Sequence, residues 1–424
     1  MFTAHRLIGA GYDDANIEVL SLRTGERKTL HRGGFYPRYL GAATGSAGRG
    51  HIIYLHQSTL FAAPFQADSL ALAGAAAPIL NDVSSTQAAG GDFTFAANGT
   101  FVYVSRAAVQ EVYPISWVDG GGKTARPLHA SPGRYATPRF SPDGKRLAFA
   151  MVTGKGSDIW VKDLARDTAS RLSFLPGHSG YPVWTPDGRS IVFFSTNQPA
   201  PGVYAVRADG SGAAKRLTEG EQTTPDSFSP DGKRLLIHQP RNAGSFDIFT
   251  MPVEADERPG SAGVRLGKEE LFLGTPFFEN HPRFSPDGQW IAYASSESGN
   301  MEVYVRPSSA PGERPGGRWQ VSTGGGFRPV WSPGGRELLY STMEGRVMAA
   351  GYTAKGDKFE AGKPRVWTEI RLRNLANIPV YDIAPDGKRL AAMVADDEAG
   401  ELPSSLTVLL NFGDEVRRKA PPGK

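Results

Sequence analysis

The chain of 424 residues contains no cysteine. That excludes disulfides, thiolate metal sites and a cysteine nucleophile, and it leaves the redox character of the compartment open. Long apolar runs are also missing. The longest, residues 70–80, is Ala-rich, is interrupted by Gly74 and Pro78, and is too short to cross a bilayer. Residues 1–10 lack the apolar stretch of a signal peptide. A soluble chain with no membrane insertion is expected, in an unknown compartment. Charge of one sign is scarce too: the net charge is +4, and basic residues are scattered. Nucleic acid is therefore not an expected partner. The nearest basic cluster, Arg417, Arg418 and Lys419, is expected in a disordered tail over 413–424. Catalytic signatures are lacking as well. There is no His-Arg-Asp loop, no Asp-Phe-Gly and no Gly-x-Ser-x-Gly elbow.

Turn-forming residues are abundant, with 51 Gly and 32 Pro. That punctuation suits short strands joined by tight turns. One segment recurs. Arg139-Phe-Ser-Pro-Asp-Gly-Lys-Arg-Leu-Ala-Phe-Ala150 is followed by Val183-Trp-Thr-Pro-Asp-Gly188, Ser227-Phe-Ser-Pro-Asp-Gly232 and Arg283-Phe-Ser-Pro-Asp-Gly288. Val330-Trp-Ser-Pro-Gly-Gly335 and Asp382-Ile-Ala-Pro-Asp-Gly387 complete the set. The anchor prolines, Pro142, Pro186, Pro230, Pro286, Pro333 and Pro385, are spaced by 44, 44, 56, 47 and 52 residues. This is the period of a propeller blade. Pro presets φ for the first turn position, Asp bonds its own backbone, and Gly supplies the positive φ that closes the turn. Apolar alternation on both sides makes the unit strand, turn, strand. Two more strands follow, such as Asp158-Ile-Trp-Val-Lys-Asp163 and Ser170-Arg-Leu-Ser173. Four strands per period predict a blade.

Weaker copies lie upstream, around Phe93-Thr-Phe95 with its Asn98-Gly99 turn and around Tyr36-Pro-Arg-Tyr-Leu40. Strands at the N-terminus (Arg6-Leu-Ile8, Ile17-Glu-Val-Leu-Ser-Leu22, Arg27-Lys-Thr-Leu30) and the C-terminus (Tyr381-Asp-Ile383, Arg389-Leu-Ala-Ala-Met-Val394, Leu406-Thr-Val-Leu-Leu-Asn411) are expected to share a closing blade. The expected fold is all-β: one β-propeller over 1–412 of four-stranded antiparallel blades, eight in number, with seven the alternative.

Phe140-Ser-Pro-Asp-Gly144 with Asp158-Ile-Trp-Val161 resembles the TolB-type, WD40-like propeller repeat. Pro282-Arg-Phe-Ser-Pro-Asp-Gly288 through Glu302-Val-Tyr-Val305 is similar to the C-terminal propeller of bacterial Ser/Thr protein kinases. The resemblance implies a propeller fold and extracytoplasmic relatives. It specifies function weakly, because propellers host many activities.

In such a fold the residues just before each anchor face the channel. Tyr36, Tyr135, Tyr181, Arg328 and Tyr381 are candidates for ligand binding there. Asp92, Asp226, Glu279 and Asn280 are hard oxygen donors of the kind Ca²⁺ takes. In six-bladed lactonase and paraoxonase-like propellers a channel Ca²⁺ polarises an ester carbonyl; by that analogy His281 and His178 are candidate bases. The anchor aspartates Asp143, Asp187, Asp231, Asp287 and Asp386 are instead expected to be turn residues. Asp158 and Asp247 are expected to be hydrogen-bonded inside blades, and Trp160, Trp184, Trp290 and Trp331 to pack between them. The leading expectation is a module binding a small molecule or protein at the channel. The alternative is a Ca²⁺-dependent hydrolase of lactones or esters.

Overall fold

Each of the six anchor turns closes in the same way in the computed structural model. The Gly N–H donates to the carbonyl of the first turn residue in Ser141–Gly144, Thr185–Gly188, Ser229–Gly232, Ser285–Gly288, Ser332–Gly335 and Ala384–Gly387, at 2.8–2.9 Å. The closing glycines have φ between 62° and 73°. The anchor aspartate takes up the remaining donors. Asp143 accepts from Ser141 Oγ at 2.6 Å and from the Lys145 N–H at 3.1 Å. Asp187, Asp231 and Asp287 repeat this pair, and Asp386 accepts from the Lys388 N–H. These carboxylates are consumed by turn geometry, as the repeat implies.

The structure describes residues 1–4, 12, 15–41, 48–85, 90–96, 98–105, 114–122, 125–129, 133–153, 156–197, 199–219, 223–242, 245–308, 317–375, 378–395 and 406–421. Arg6, Leu7 and Ile8, read as a strand, lie outside them.

Two compact units form. One is Glu111–Asp397; the other is Met1–Gln110 with Glu398–Lys424. In the first unit, each anchor joins an inner strand to the next strand of an antiparallel sheet. The inner strands are Arg134–Phe140, Ser179–Trp184, Thr224–Phe228, Glu279–Phe284, Phe327–Trp331 and Tyr381–Ile383. Each packs on the next, and the sixth packs on the first, so the six sheets close a ring. The seam is bonded: the Thr137 N–H donates to the Pro379 carbonyl at 3.1 Å, and the Phe140 N–H to Asp382 Oδ2 at 2.9 Å. Trp184 Nε1 and Trp331 Nε1 donate to the Arg139 and Arg283 carbonyls of the preceding blades, both at 3.0 Å. These two tryptophans therefore knit blades together.

The closure differs from the expected eight or seven blades sealed by the chain ends. The closing sheet pairs Ile115–Asp119 with Arg389–Met393, flanked by Ala125–His129 and Tyr381–Ile383. Ile115–Asp119, which follows the 93–104 repeat in sequence, seals the six-bladed ring. Phe101–Val104 takes Leu406–Leu409 as its neighbour instead.

In the second unit, Phe2–Ala4, Asn16–Leu20 and Arg27–Arg32 form one sheet. Phe35–Gly41, Arg49–His56, Thr59–Gln66, Ala71–Leu72 and Ala77–Leu80 form a second; Phe93–Phe95, Phe101–Val104 and Leu406–Leu409 form a third. Within 413–424, expected to be a disordered tail, the chain instead continues a helix that spans Phe412–Lys419. Its apolar residues Phe412 and Val416 are spaced four apart and are buried, with Phe412 stacked on Phe101 at 4.1 Å. The charged residues that suggested a tail occupy the other face.

Candidate functional site

The inner strands of the propeller unit share a local irregularity. Register slips between Ala136 and Arg139, Gly180 and Val183, Pro225 and Ser227, Asn280 and Arg283, and Phe327 and Val330. At four of these bulges a non-glycine residue has positive φ: Thr137 (52°), Tyr181 (56°), His281 (52°) and Arg328 (52°). Each precedes a proline, which disfavours the α region and leaves the residue before it few alternatives. A bulge re-aims its side chain. Here the uniform repeat carries a different side chain on each strand.

Those side chains interact across the ring. Asp226, on the third inner strand, is 2% exposed. It accepts a hydrogen bond from His238 Nδ1 at 2.6 Å and lies 3.9 Å from His281 Nδ1. Burial by itself lifts the Asp226 carboxyl, but the attraction of His238 and His281 outweighs it and holds the group below the usual carboxylate range. The His238 and His281 rings meet edge to face at 5.4 Å. Burial pushes His281 down to about 4, against the pull of Asp226, so its imidazole is neutral at neutral pH. Burial together with Asp226 raises the Tyr181 hydroxyl to about 12. The Tyr381 hydroxyl donates to the Arg328 carbonyl at 2.8 Å, and burial holds its proton on.

Arginines stand in the same wall. Burial lowers Arg139 to about 9, with Arg283 adding to the effect and Asp382 opposing it. Asp382 Oδ1 lies 3.8 Å from Arg139 Nη1. Burial lowers Arg328 to about 10. Its Nη1 donates to Ser341 Oγ at 3.2 Å.

Tyr181, Asp226, His281, Arg328 and Tyr381 stand near one another in this ring. Others do not. Tyr135 turns outward into a blade core, packed edge-on against His129 at 5.0 Å and Phe149 at 5.3 Å. His178 precedes the second inner strand, with the blade of Asp226 between it and His281; its N–H donates to Thr196 Oγ1 at 2.8 Å. Tyr36 and Asp92 belong to the other unit, where Tyr36 packs on Phe93 at 5.3 Å. Glu279 is buried, bonded by Thr275 Oγ1, and burial lifts it to about 7. Asn280 is buried beside it in the chain. Among the described residues no group of three or more His, Cys, Asp or Glu side chains is placed to hold a metal ion. Of the four oxygen donors read from the sequence, Asp226 accepts from His238, Glu279 accepts from Thr275, and Asp92 belongs to the other unit. Asp158 and Asp247 serve inside blades, bonded to Ser173 and Arg241.

Sequence reasoning passed over Thr137, Arg139, His238 and Arg283, while Asp382 stands among the channel positions it compares. A signal existed for Arg139 and Arg283 too. The position two residues before the first turn residue is Arg139, Val183, Ser227, Arg283, Val330 and Asp382 in the six repeats. That is the variety expected of channel positions.

Fold and channel together define a six-bladed β-propeller with a charged, aromatic-lined throat. Residues 89–260 match the family profile of the TolB beta propeller domain. The Tol-Pal system protein TolB of Francisella tularensis subsp. holarctica (strain OSU18) is 32% identical over 171 residues, 39% of this chain and 36% of the relative. The TolB of F. tularensis subsp. mediasiatica (strain FSC147) is 31% identical over the same length. The match spans about a third of the length of these curated relatives. The crystal structure of TolB from Acinetobacter baumannii is 21% identical, with a TM-score of 0.45, covering 78% of this chain and 82% of that one. The chain contains a β-propeller and is similar over residues 89–260 to the TolB propeller repeat.

Proposed function

We propose that the propeller unit is a binding module that receives a segment of a protein partner or a small ligand at its channel. The observation that supports this most directly is the contrast within the repeat. Six near-identical turns and strands carry Thr137, Tyr181, Asp226, His281, Arg328 and Tyr381, polar or aromatic groups of five kinds, around one ring. A scaffold held constant while its inner positions vary fits recognition. The relatives are named as components of a Tol-Pal system, so a Pal-type protein is the first partner to test. No helix among the described residues is long and apolar enough to cross a membrane. An extracytoplasmic site of action, as the repeat resemblance implies, fits that partner.

The test is calorimetric titration of the full chain with a soluble Pal domain. Binding is expected, and Tyr181→Ala is expected to weaken it roughly tenfold or more, as loss of an aromatic anchor does. Absence of binding to the unaltered protein would remove this partner. Unchanged affinity in the variant would remove the channel as the site.

A further inference from the structure

The channel wall carries hydrogen-bond donors that have nothing to bond. Arg139 is 8% exposed, yet its Nη1 has no hydrogen-bond partner. Its nearest carboxylate oxygen, Asp382 Oδ1, is 3.8 Å away, beyond hydrogen-bond reach. The other oxygen of Asp382 is occupied by the Phe140 N–H. Arg328 is 5% exposed and its Nε is unpartnered; Thr137 is 2% exposed and its Oγ1 is unpartnered. Buried donors in this state are unfavourable unless something accepts from them.

The charges are also unbalanced. Arg139 lies on the first inner strand and Arg283 on the fourth, three places apart in a ring of six, and so on opposite sides of the channel. They are close enough for Arg283 to oppose the charge on Arg139. Among the described residues no carboxylate lies within ion-pair distance of Arg283. Asp226, its Oδ2 held by His238, also acts on Arg139. Arg139, Arg283 and Arg328 set against Asp382 and Asp226 leave a net positive throat.

We propose that the throat of the propeller channel binds a carboxylate, with Arg139 and Arg283 holding it from opposite sides and Thr137 and Arg328 donating from the adjacent bulges. This rests on the channel being the binding site. Guanidinium groups suit carboxylates because their N–H forks match the two oxygens. The carboxylate belongs either to a free small dicarboxylate or to an acidic segment of a protein partner.

The experiment is a thermal unfolding series on the full chain with succinate, with neutral succinamide, and with chloride at matched ionic strength. Succinate alone is expected to raise the midpoint. The response is expected to vanish in Arg139→Gln and Arg283→Gln. Arg283→Gln is also expected to unfold at a higher temperature than the unaltered protein without ligand, because it removes a like-charge neighbour. That gain shows the variant is folded and separates a binding role from a structural one. A pentaglutamate peptide distinguishes the sources: tighter binding than succinate identifies a protein segment, weaker binding a free dicarboxylate. If succinate and succinamide act alike, or if Arg283→Gln responds to succinate as the unaltered protein does, the carboxylate site is wrong. If a Pal domain binds while neither carboxylate does, the carboxylate site fails and the binding role stands. If succinate binds and Pal does not, the carboxylate site stands and that partner fails.

Discussion

His238 Nδ1 donates to Asp226 Oδ2 at 2.6 Å, and both side chains are sealed from solvent in the propeller unit. A buried pair of this kind is costly to break from one side, because the remaining partner keeps its desolvation penalty. Asp226→Asn is expected to destabilise the protein by about 3 kcal/mol at neutral pH, measured by urea unfolding. The pH dependence follows from the direction of the shift. Asp226 titrates below its unfolded range, so its contribution is present above that range and is lost as the pH falls below about 4. The gap between the variant and the unaltered protein should narrow there. A constant gap at all pH values would contradict the assignment.

Glu279 has the opposite sign. Burial raises it from an ordinary 4.5 to about 7, with Asp247 and Glu297 adding repulsion and Thr275 opposing. The folded state holds its proton longer than the unfolded chain does. The stability it lends is therefore full below about 4.5 and is lost as the pH rises through about 7. Glu279→Gln keeps the neutral form at every pH. It is expected to stabilise the protein above neutrality by on the order of 2 kcal/mol and to change little under mildly acidic conditions. Denaturant midpoints across that window decide the matter.

The anchor turns touch one another around the ring. A Cβ added to Gly144 would stand 3.0 Å from Pro385 of the sixth anchor, and one on Gly288 would stand 3.2 Å from Pro230. Gly335 meets only the Tyr352 hydroxyl, at 3.7 Å. Both Gly144 and Gly335 have positive φ, so alanine strains the backbone at either site by about 1 kcal/mol. Gly144→Ala must also displace a rigid ring at the seam. It is expected to cost clearly more than Gly335→Ala in paired unfolding experiments. Equal losses would mean that the turn-to-turn contact carries no weight.

All six sheets of the ring are complete within 111–397. A fragment of those residues is expected to unfold cooperatively with a β-rich circular dichroism spectrum. A chain beginning after 130, which lacks Ile115–Asp119 and Ala125–His129, should not, because Arg389–Met393 would then be an open edge. If the shorter chain folds as well as the longer one, the closing strands are dispensable.

The frame of this molecule was legible because its turn chemistry is local. Ser-Pro-Asp-Gly dictates its own hydrogen bonds, and those bonds form wherever the motif occurs. Closure was less legible, because strand partners far apart in sequence are chosen by packing. Nothing local in Ile115-Ser-Trp-Val118 distinguishes pairing with Tyr103 from pairing with Ala391. The site was partly legible for the same reason. Tyr181, His281 and Arg328 announce themselves by standing before a proline at the start of each repeat. Arg139 and Arg283 were hidden inside a motif explained by its turn. Tyr135 misled because it lies ahead of the bulge, still in regular register with Met151, and its ring packs into a blade core. The helix Phe412–Lys419 was obscured by its charges, while Phe412 and Val416 alone carried the apolar signal.

The closing sheet has one more consequence. Ile115 and Met393 are directly paired in it, so the chain enters and leaves the ring at neighbouring points, about 5 Å apart as paired strands are. A body with such a doorway can be spliced into a surface loop of a host protein without stretching either. The ring is in this sense a cassette, separable in inheritance and in engineering from whatever sequence flanks it.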